Sequence, residues 1–379
     1  MKFDISRRSL IRGLATTALA PALPRVAAFA QSQETPWWLG DGMPQESAGT
    51  PKIASAIDLG AGVTEAAIRG VVQLGVHHVL SGGPAIPWKV SELQPLVDKL
   101  KANGVTLGNL MIGGFPNTIY GRPGRDEEIE KVRESIQAAG QAGIPVVEYN
   151  FYAHRAMEGY YEQIGRGGAG LTGVDYDRVK DLPPMPEEGA HSLNEMWANI
   201  AYFLKAVIPV AEKANVRLAL HPNDPPFPSS RGSQQIMATL DGWKHLIEIV
   251  DSPANGITFD CGVAQELGED PVAVCRYFGS RDRINHMHYR NPHITKPYLK
   301  YDEGFIDEGD VNMLAVMREL VKLRYSRELY PEHPRALDYD RARGPIPGYP
   351  GGGGYAGDVY DIAYAKAMLQ AALIIEKAG

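Results

Sequence analysis

The chain has 379 residues, of which 44% are hydrophobic and 22% charged, and carries 38 basic against 45 acidic side chains for a net charge of −7. No stretch concentrates lysine and arginine into a basic stripe, which excludes nucleic acid as a partner. Two cysteines, Cys261 and Cys275, exclude a disulfide framework.

The first element in chain order is a leader. Ser6-Arg7-Arg8-Ser9-Leu10-Ile11-Arg12 precedes a short alanine-rich run from Gly13 to Ala22, and Ala28-Phe29-Ala30 supplies a small-x-small cleavage pattern before Gln31. Paired arginines ahead of a mildly apolar segment resemble a twin-arginine export signal. The expectation is a signal peptide over 1–30, a mature domain over 31–379 and a periplasmic workplace. The run is too short to persist as a membrane span, so no stable membrane anchor is expected after cleavage. Removing the leader leaves 33 basic against 44 acidic residues, a net of −11.

Beyond the leader, strand-like and helical patterns alternate. Apolar runs predict strands at Lys52–Ile57, His77–Leu80, Thr106–Met111, Pro145–Asn150, Val216–His221, Gly256–Cys261, Arg283–His288 and Glu328–Glu332. Between and after them, helices are predicted near Thr64–Leu74, Val90–Ala102, Asp126–Ala142, Leu193–Ala214, Met237–Val250, Pro271–Phe278, Val311–Leu323 and Val359–Lys377. Ile129, Val132, Ile136 and Ala139 show the spacing of one helical face. Eight strands and eight helices in strict alternation predict an α/β protein, a single (β/α)₈ TIM barrel.

Three stretches exceed a minimal barrel: Phe151–Ser192, Tyr289–Glu308 and Arg335–Gly357, following strands 4, 7 and 8. All leave from strand C-terminal ends, the face where barrel enzymes keep their active sites, and they read as lids or site insertions. The glycine run Gly351–Gly354 lacks a following Lys-Ser/Thr and a preceding strand, so it reads as a flap and not as a phosphate cradle.

The chemistry gathers at the later strand ends. Leu218-Ala-Leu-His221 stops at Pro222-Asn223-Asp224-Pro225-Pro226, and three later strands end in Cys261, His288 and Glu332. Four potential metal ligands at four successive strand ends outweigh the separate readings of a core histidine, a small buried thiol and a carboxylate paired with Arg335. Ligands spread over more than a hundred residues point to an active site, since structural zinc uses closely spaced pairs. The set admits Zn²⁺, Mn²⁺, Fe²⁺ or Co²⁺. His286 shares a face with His288, and His288 is preferred because it lies nearer the strand end. Arg290, beside this ring, reads as a clamp for a substrate carboxylate, and Asn223 or Asp224 as hydroxyl binders.

These motifs resemble the mannonate dehydratases of the UxuA type. The resemblance rests on His221-Pro-Asn-Asp-Pro-Pro, Cys261-Gly262, His288-Tyr289-Arg290, Glu308-Gly-Asp-Val311, Pro331-Glu332-His333 and Val147-Glu148-Tyr149-Asn150-Phe151, and runs from about Lys52 to the C-terminus. It implies a barrel lyase that uses a divalent metal, Mn²⁺ with Fe²⁺ the alternative, to turn D-mannonate into 2-keto-3-deoxy-D-gluconate. It also implies metal ligands at His221, Cys261, His288 and Glu332, a catalytic His333, and a catalytic tyrosine at Tyr355, with Tyr349 second. The family usually has Pro-Asp-His where this chain has Pro-Glu332-His333, and usually a longer insertion after strand 4 and no export leader.

The expected reaction removes the proton on the second carbon of a 2,3-dihydroxy acid and releases the third-carbon hydroxyl. His333 and Tyr355 form the acid–base pair, in either order. Two other readings stand beside it: a metal-dependent sugar isomerase or epimerase on the same barrel, and a periplasmic sugar-acid binding protein. The expected partner is a small sugar acid; self-association into a homo-oligomer is left open.

Overall fold

The computed structural model describes residues 43–59, 63–346 and 348–378. The expected leader over 1–30 lies outside them. Eight parallel strands close into a barrel: β1 Lys52–Ala56, β2 His78–Gly82, β3 Thr106–Ile112, β4 Val146–Tyr149, β5 Arg217–Leu220, β6 Asn255–Asp260, β7 Ile284–His288 and β8 Glu328–Tyr330. Each pairs with its neighbour in sequence, and β8 closes on β1 through Lys52↔Glu328 and Ile53↔Leu329. The predicted barrel is the observed one.

The outer ring follows the predicted alternation: α1 Glu65–Gln73, α2 Val90–Ala102, α3 Arg125–Gln141, α4 Leu193–Ala214, α5 Leu240–Ile249, α6 Pro271–Gly279, α7 Met313–Lys322 and α8 Tyr355–Ala378. Local chemistry sets where they begin. Ser192 and Glu195 form a reciprocal capping box at α4, and Thr64, Thr239 and Asn312 accept from backbone N–H groups at the starts of α1, α5 and α7. Each such cap is worth about 1 kcal/mol. Asn215 ends α4 with φ +55°, the left-handed turn that asparagine tolerates. Inward stripes such as Ile200, Phe203, Leu204, Val207 and Ala211 of α4 bury against the barrel. Among the described residues no helix is long and apolar enough to cross a membrane.

Two of the three long connections build one object. Tyr160–Ile164 and Gly170–Asp175, after β4, join Pro292–Lys296 and Lys300–Glu303, after β7, in a four-stranded antiparallel sheet. Tyr301↔Val174 and Tyr160↔Val174 set its register. The third connection is close-packed, which corrects the reading of its glycines as a flap. Gly351 has φ +75°, and a Cβ there would lie 2.0 Å from the Leu171 carbonyl oxygen; one on Gly353 would lie 2.2 Å from that of Arg335. Glycine is required at both because backbone passes against backbone.

Several boundaries shift by a residue or more from the sequence reading, and two of the shifts matter most for the site. β6 ends at Asp260, where a short helix Cys261–Glu266 begins, and α8 starts at Tyr355 instead of Val359.

Candidate active site

β5 to β8 deliver their last side chains to the C-terminal mouth of the barrel. His221 follows β5, Asp260 and His288 end β6 and β7, and Glu332 lies two residues beyond β8. One nitrogen or oxygen from each of His221, Asp260, His288 and Glu332 falls within 4.8 Å of all the others. His221 Nε2 and His288 Nδ1 are 3.0 Å apart, and His288 Nδ1 lies 2.9 Å from Glu332 Oε1. Asp260 Oδ2 stands 3.8 Å from His221 Nε2 and 3.9 Å from His288 Nδ1.

Cys261 does not join them, which corrects the sequence reading. Strand alternation turns Thr258 and Asp260 inward and Phe259 and Cys261 toward the shell. The thiol is fully buried in the hydrophobic core, and Sγ donates to the Arg290 carbonyl at 3.4 Å. Burial, with Asp260 adding to it, pushes that thiol far up, away from the thiolate a metal needs. Both cysteines are free thiols. Asp260 is fixed on two sides: Oδ1 accepts from Val263 N at 2.9 Å and Oδ2 from Arg290 Nε at 2.9 Å.

The donor set fits a divalent cation. His221 Nδ1 lies 2.7 Å from its only outer partner, the Pro222 carbonyl, so it carries the hydrogen and Nε2 presents a lone pair to the cluster. Glu332 Oε1, buried, turns into the same cluster, 2.9 Å from His288 Nδ1 and 3.4 Å from Arg290 Nε. Six carboxyl groups (Glu148, Asp224, Asp260, Glu266, Glu303 and Glu332) share this region with two guanidinium groups, Arg155 and Arg290. Burial pushes His288 toward its neutral form, yet Glu332 and Glu148 outweigh it and hold its pKa at about 9.

Arg290 spends Nε and Nη1 on buried carboxylates and turns Nη2 toward Asp224 Oδ2 at 3.6 Å, which corrects its expected role as a substrate clamp. Fully buried, it donates from Nη1 to Glu266 Oε1 at 2.5 Å and to Glu303 Oε1 at 2.7 Å, besides its bond to Asp260. It is the internal cation of the site. Asn223 is also spent: Nδ2 donates to Gln235 Oε1 at 2.8 Å and Oδ1 accepts from Met237 N at 2.8 Å, pinning the loop. Asp224 does face the cavity, 3.5 Å from Arg155 Nη2 and 3.9 Å from His333 Nε2.

His333 stands beside the four donors with φ +56°, a conformation histidine adopts rarely and one that clusters at functional sites. Its Nε2 is 3.7 Å from Glu332 Oε1; its Nδ1 is 2.5 Å from Tyr349 Oη and 3.1 Å from Glu303 Oε1. Burial works against ionised Glu303, but Arg290 and His333 bring its pKa to about 2. Tyr355, the expected partner, is 52% exposed at the start of α8, against Tyr339. The tyrosine that meets His333 is Tyr349.

A cavity of about 120 Å³ opens over the donors, lined by Met111, Asn150, Tyr152, Arg155, Asp224 and His333 among others. A second, of about 270 Å³, adjoins it across Glu332 and His333, under Tyr349 and Gly352–Gly354. A larger hollow of about 650 Å³, around Trp197, His245 and Tyr298, is lined by none of these groups. The sequence reading missed Asp260, Glu303 and Arg155. Period-two alternation from Thr258 was a usable signal for Asp260; Glu303 and Arg155 lie in long connections that no periodicity places.

A (β/α)₈ barrel with an acid–histidine cluster at its C-terminal mouth has the form of a barrel enzyme with a cation site on its catalytic face. Residues 154–377 match the family described as D-mannonate dehydratase (UxuA). A mannonate dehydratase of Streptococcus equi subsp. zooepidemicus is 32% identical over 292 residues, covering 69% of this chain and 78% of the relative. The crystal structure of mannonate dehydratase from Streptococcus suis serotype 2 superposes with a TM-score of 0.76 at 26% identity, covering 86% of this chain and 95% of that one. An L-ribulose 3-epimerase structure, at 15% identity and a TM-score of 0.55, covers 87% of this chain and 98% of its own and shares the fold alone. The chain belongs to the D-mannonate dehydratase family, and it is a hydro-lyase acting on a sugar acid.

Proposed function

We propose that this chain is a divalent-metal-dependent dehydratase, with Mn²⁺ as its metal, that converts D-mannonate to 2-keto-3-deoxy-D-gluconate. The observation that carries this reading is the convergence of His221, Asp260, His288 and Glu332 beside the His333–Tyr349 pair. Two imidazoles and two carboxylates, without a thiolate, suit Mn²⁺ or Fe²⁺ better than metals that prefer sulfur. When bound, the metal supplies Lewis-acid polarisation of the substrate's carboxylate and second hydroxyl.

The chain's own residues do the rest. Arg155, half-buried on the cavity wall, binds the carboxylate as Arg290 cannot. Asp224 accepts from a substrate hydroxyl. Glu303 holds the Nδ1 edge of His333, which leaves Nε2 to take the proton from the second carbon. Burial, reinforced by Glu303, pushes the Tyr349 hydroxyl well up, so it keeps its proton and hands it to the departing third-carbon hydroxyl. Water leaves, and the enol that remains rearranges to the 2-keto acid.

The paired arginines and small-x-small pattern of residues 1–30 support a periplasmic site for this chemistry. Incubating the Mn²⁺-loaded protein with a panel of aldonates tests the assignment. A 2-keto-3-deoxy product from D-mannonate supports it, an epimerised acid supports an isomerase instead, and binding without turnover supports a sugar-acid binding protein.

A further inference from the structure

Behind the four donors lies a second buried layer that the reaction does not use. Glu148, the third residue of β4, is 1% exposed at the centre of the barrel. Its Oε1 accepts from Thr258 Oγ1 of β6 at 2.8 Å, and its Oε2 accepts from Asn109 Nδ2 of β3 at 2.8 Å. The same Oε1 faces His288 Nε2 of β7 at 3.5 Å. That nitrogen is buried and has no hydrogen-bond partner among the described residues. Across the ring, His288 Nδ1 looks out at Glu332 and His221.

We infer that Glu148 is a positioning residue for the metal centre, holding the hydrogen of His288 on Nε2 so that Nδ1 presents its lone pair to the metal. The inference rests on the proposed metal reading. It does not concern the proton transfers of His333 and Tyr349. A carboxylate behind a ligating imidazole fixes ring and tautomer and raises ligand basicity, and its loss typically weakens metal binding about 10–100-fold. The two histidine ligands differ here. His221 Nδ1 lies against a backbone carbonyl, which no substitution removes, whereas His288 depends on one side chain. Thr258 and Asn109 aim that side chain from two other strands, so three strands meet at one carboxylate. His286, beside it, leaves both ring nitrogens without hydrogen bonds, and its ring centroid lies 5.0 Å from that of His288.

Glu148→Gln is a clean test, because the structure can absorb the amide. Asn109 Oδ1 has no partner, so a flip of the Asn109 amide lets it accept from the new NH₂ group. Only the charge is lost. Calorimetric titration of the metal-free proteins with Mn²⁺, together with the visible spectrum of the Co²⁺-loaded forms, gives readouts independent of turnover. Glu148→Gln should bind one Mn²⁺ per chain about 10–100-fold more weakly than the unaltered protein, with a shifted Co²⁺ spectrum and an unchanged melting temperature without metal. Thr258→Val, which frees Oε1 without removing charge, should weaken binding in the same direction by less; it carries the test if the first variant does not fold. Affinities equal to the unaltered protein in both variants would overturn the positioning role. So would two Mn²⁺ per unaltered chain falling to one on losing Glu148, since Glu148, His286 and His288 would then hold an ion themselves. An unaltered protein that binds no Mn²⁺ would instead defeat the metal reading beneath it.

Discussion

Asp260 and Cys261 are neighbours in sequence that face opposite sides of one strand end. Asp260 Oδ2 looks into the barrel mouth, 3.8 Å from His221 Nε2, while Cys261 Sγ donates into the hydrophobic shell, to the Arg290 carbonyl. The consequence is a reversal of expected phenotypes. Cys261→Ala should keep stoichiometric metal and most activity, at a stability cost of about 1 kcal/mol for the small cavity it opens. Asp260→Ala should lose metal, and it should also lose about 1 kcal/mol from the uncapped helix at Cys261–Glu266. Metal analysis beside urea denaturation checks both.

The two tyrosines separate in the same way. Tyr349→Phe should lower kcat by about 10²–10⁴-fold with metal retained, the usual worth of a general acid. Tyr355→Phe should leave kcat unchanged, because its ring stands exposed against Tyr339. Steady-state kinetics of the two variants decide which tyrosine serves His333.

Arg155→Met should raise KM for the sugar acid and leave metal content intact, since Arg155 lines the cavity and touches no metal-binding side chain but Asp224, which lies outside the four. Arg290→Met should fail differently. It leaves Asp260, Glu266 and Glu303 buried without their shared cation and should unfold or empty the site. Thermal melts and metal content distinguish the two.

Asp358, at the start of α8, has its carboxyl raised by burial, and then by Asp340, to about 7. A group raised on folding favours the folded state fully below its unfolded pKa and loses that contribution as pH rises through the folded value. Asp358→Asn and the unaltered protein should therefore be equally stable at about pH 4 or below. The variant should gain steadily between there and pH 7 and stay ahead above it. Denaturation midpoints across that range measure the difference, and a constant offset would contradict the assignment.

The proposed twin-arginine reading of residues 1–30 predicts that replacing Arg7-Arg8 with Lys-Lys leaves the protein in the cytoplasm with its site intact. Cell fractionation reads the outcome, and unchanged periplasmic delivery would assign the leader to the general secretory route.

The barrel was legible because it is periodic. Eight apolar runs alternating with helical faces leave few other topologies, and His221, His288 and Glu332 could be placed because each stands at or just beyond the end of such a run. Cys261 was misplaced because the β6 boundary was set one residue late, and in a strand one residue reverses the face. Tyr355 was misplaced because α8 begins four residues before its apolar pattern does. Glu303 and Arg155 were out of reach for another reason. Glu303 sits in an antiparallel sheet whose two halves lie on either side of β5, β6 and β7 in sequence, and Arg155 in the connection just ahead of that sheet's first strand, so nothing local to either announces the site.

On the proposed reading, this site removes water from a sugar acid by way of an enol. The most direct measurement is the reaction of Mn²⁺-loaded protein with D-mannonate in D₂O, followed by NMR. A 2-keto-3-deoxy acid carrying one deuterium on its third carbon, placed there as the enol collapses, is the expected product. An aldonate epimerised and deuterated at its second carbon with both hydroxyls in place, and no 2-keto-3-deoxy acid, would contradict that reading.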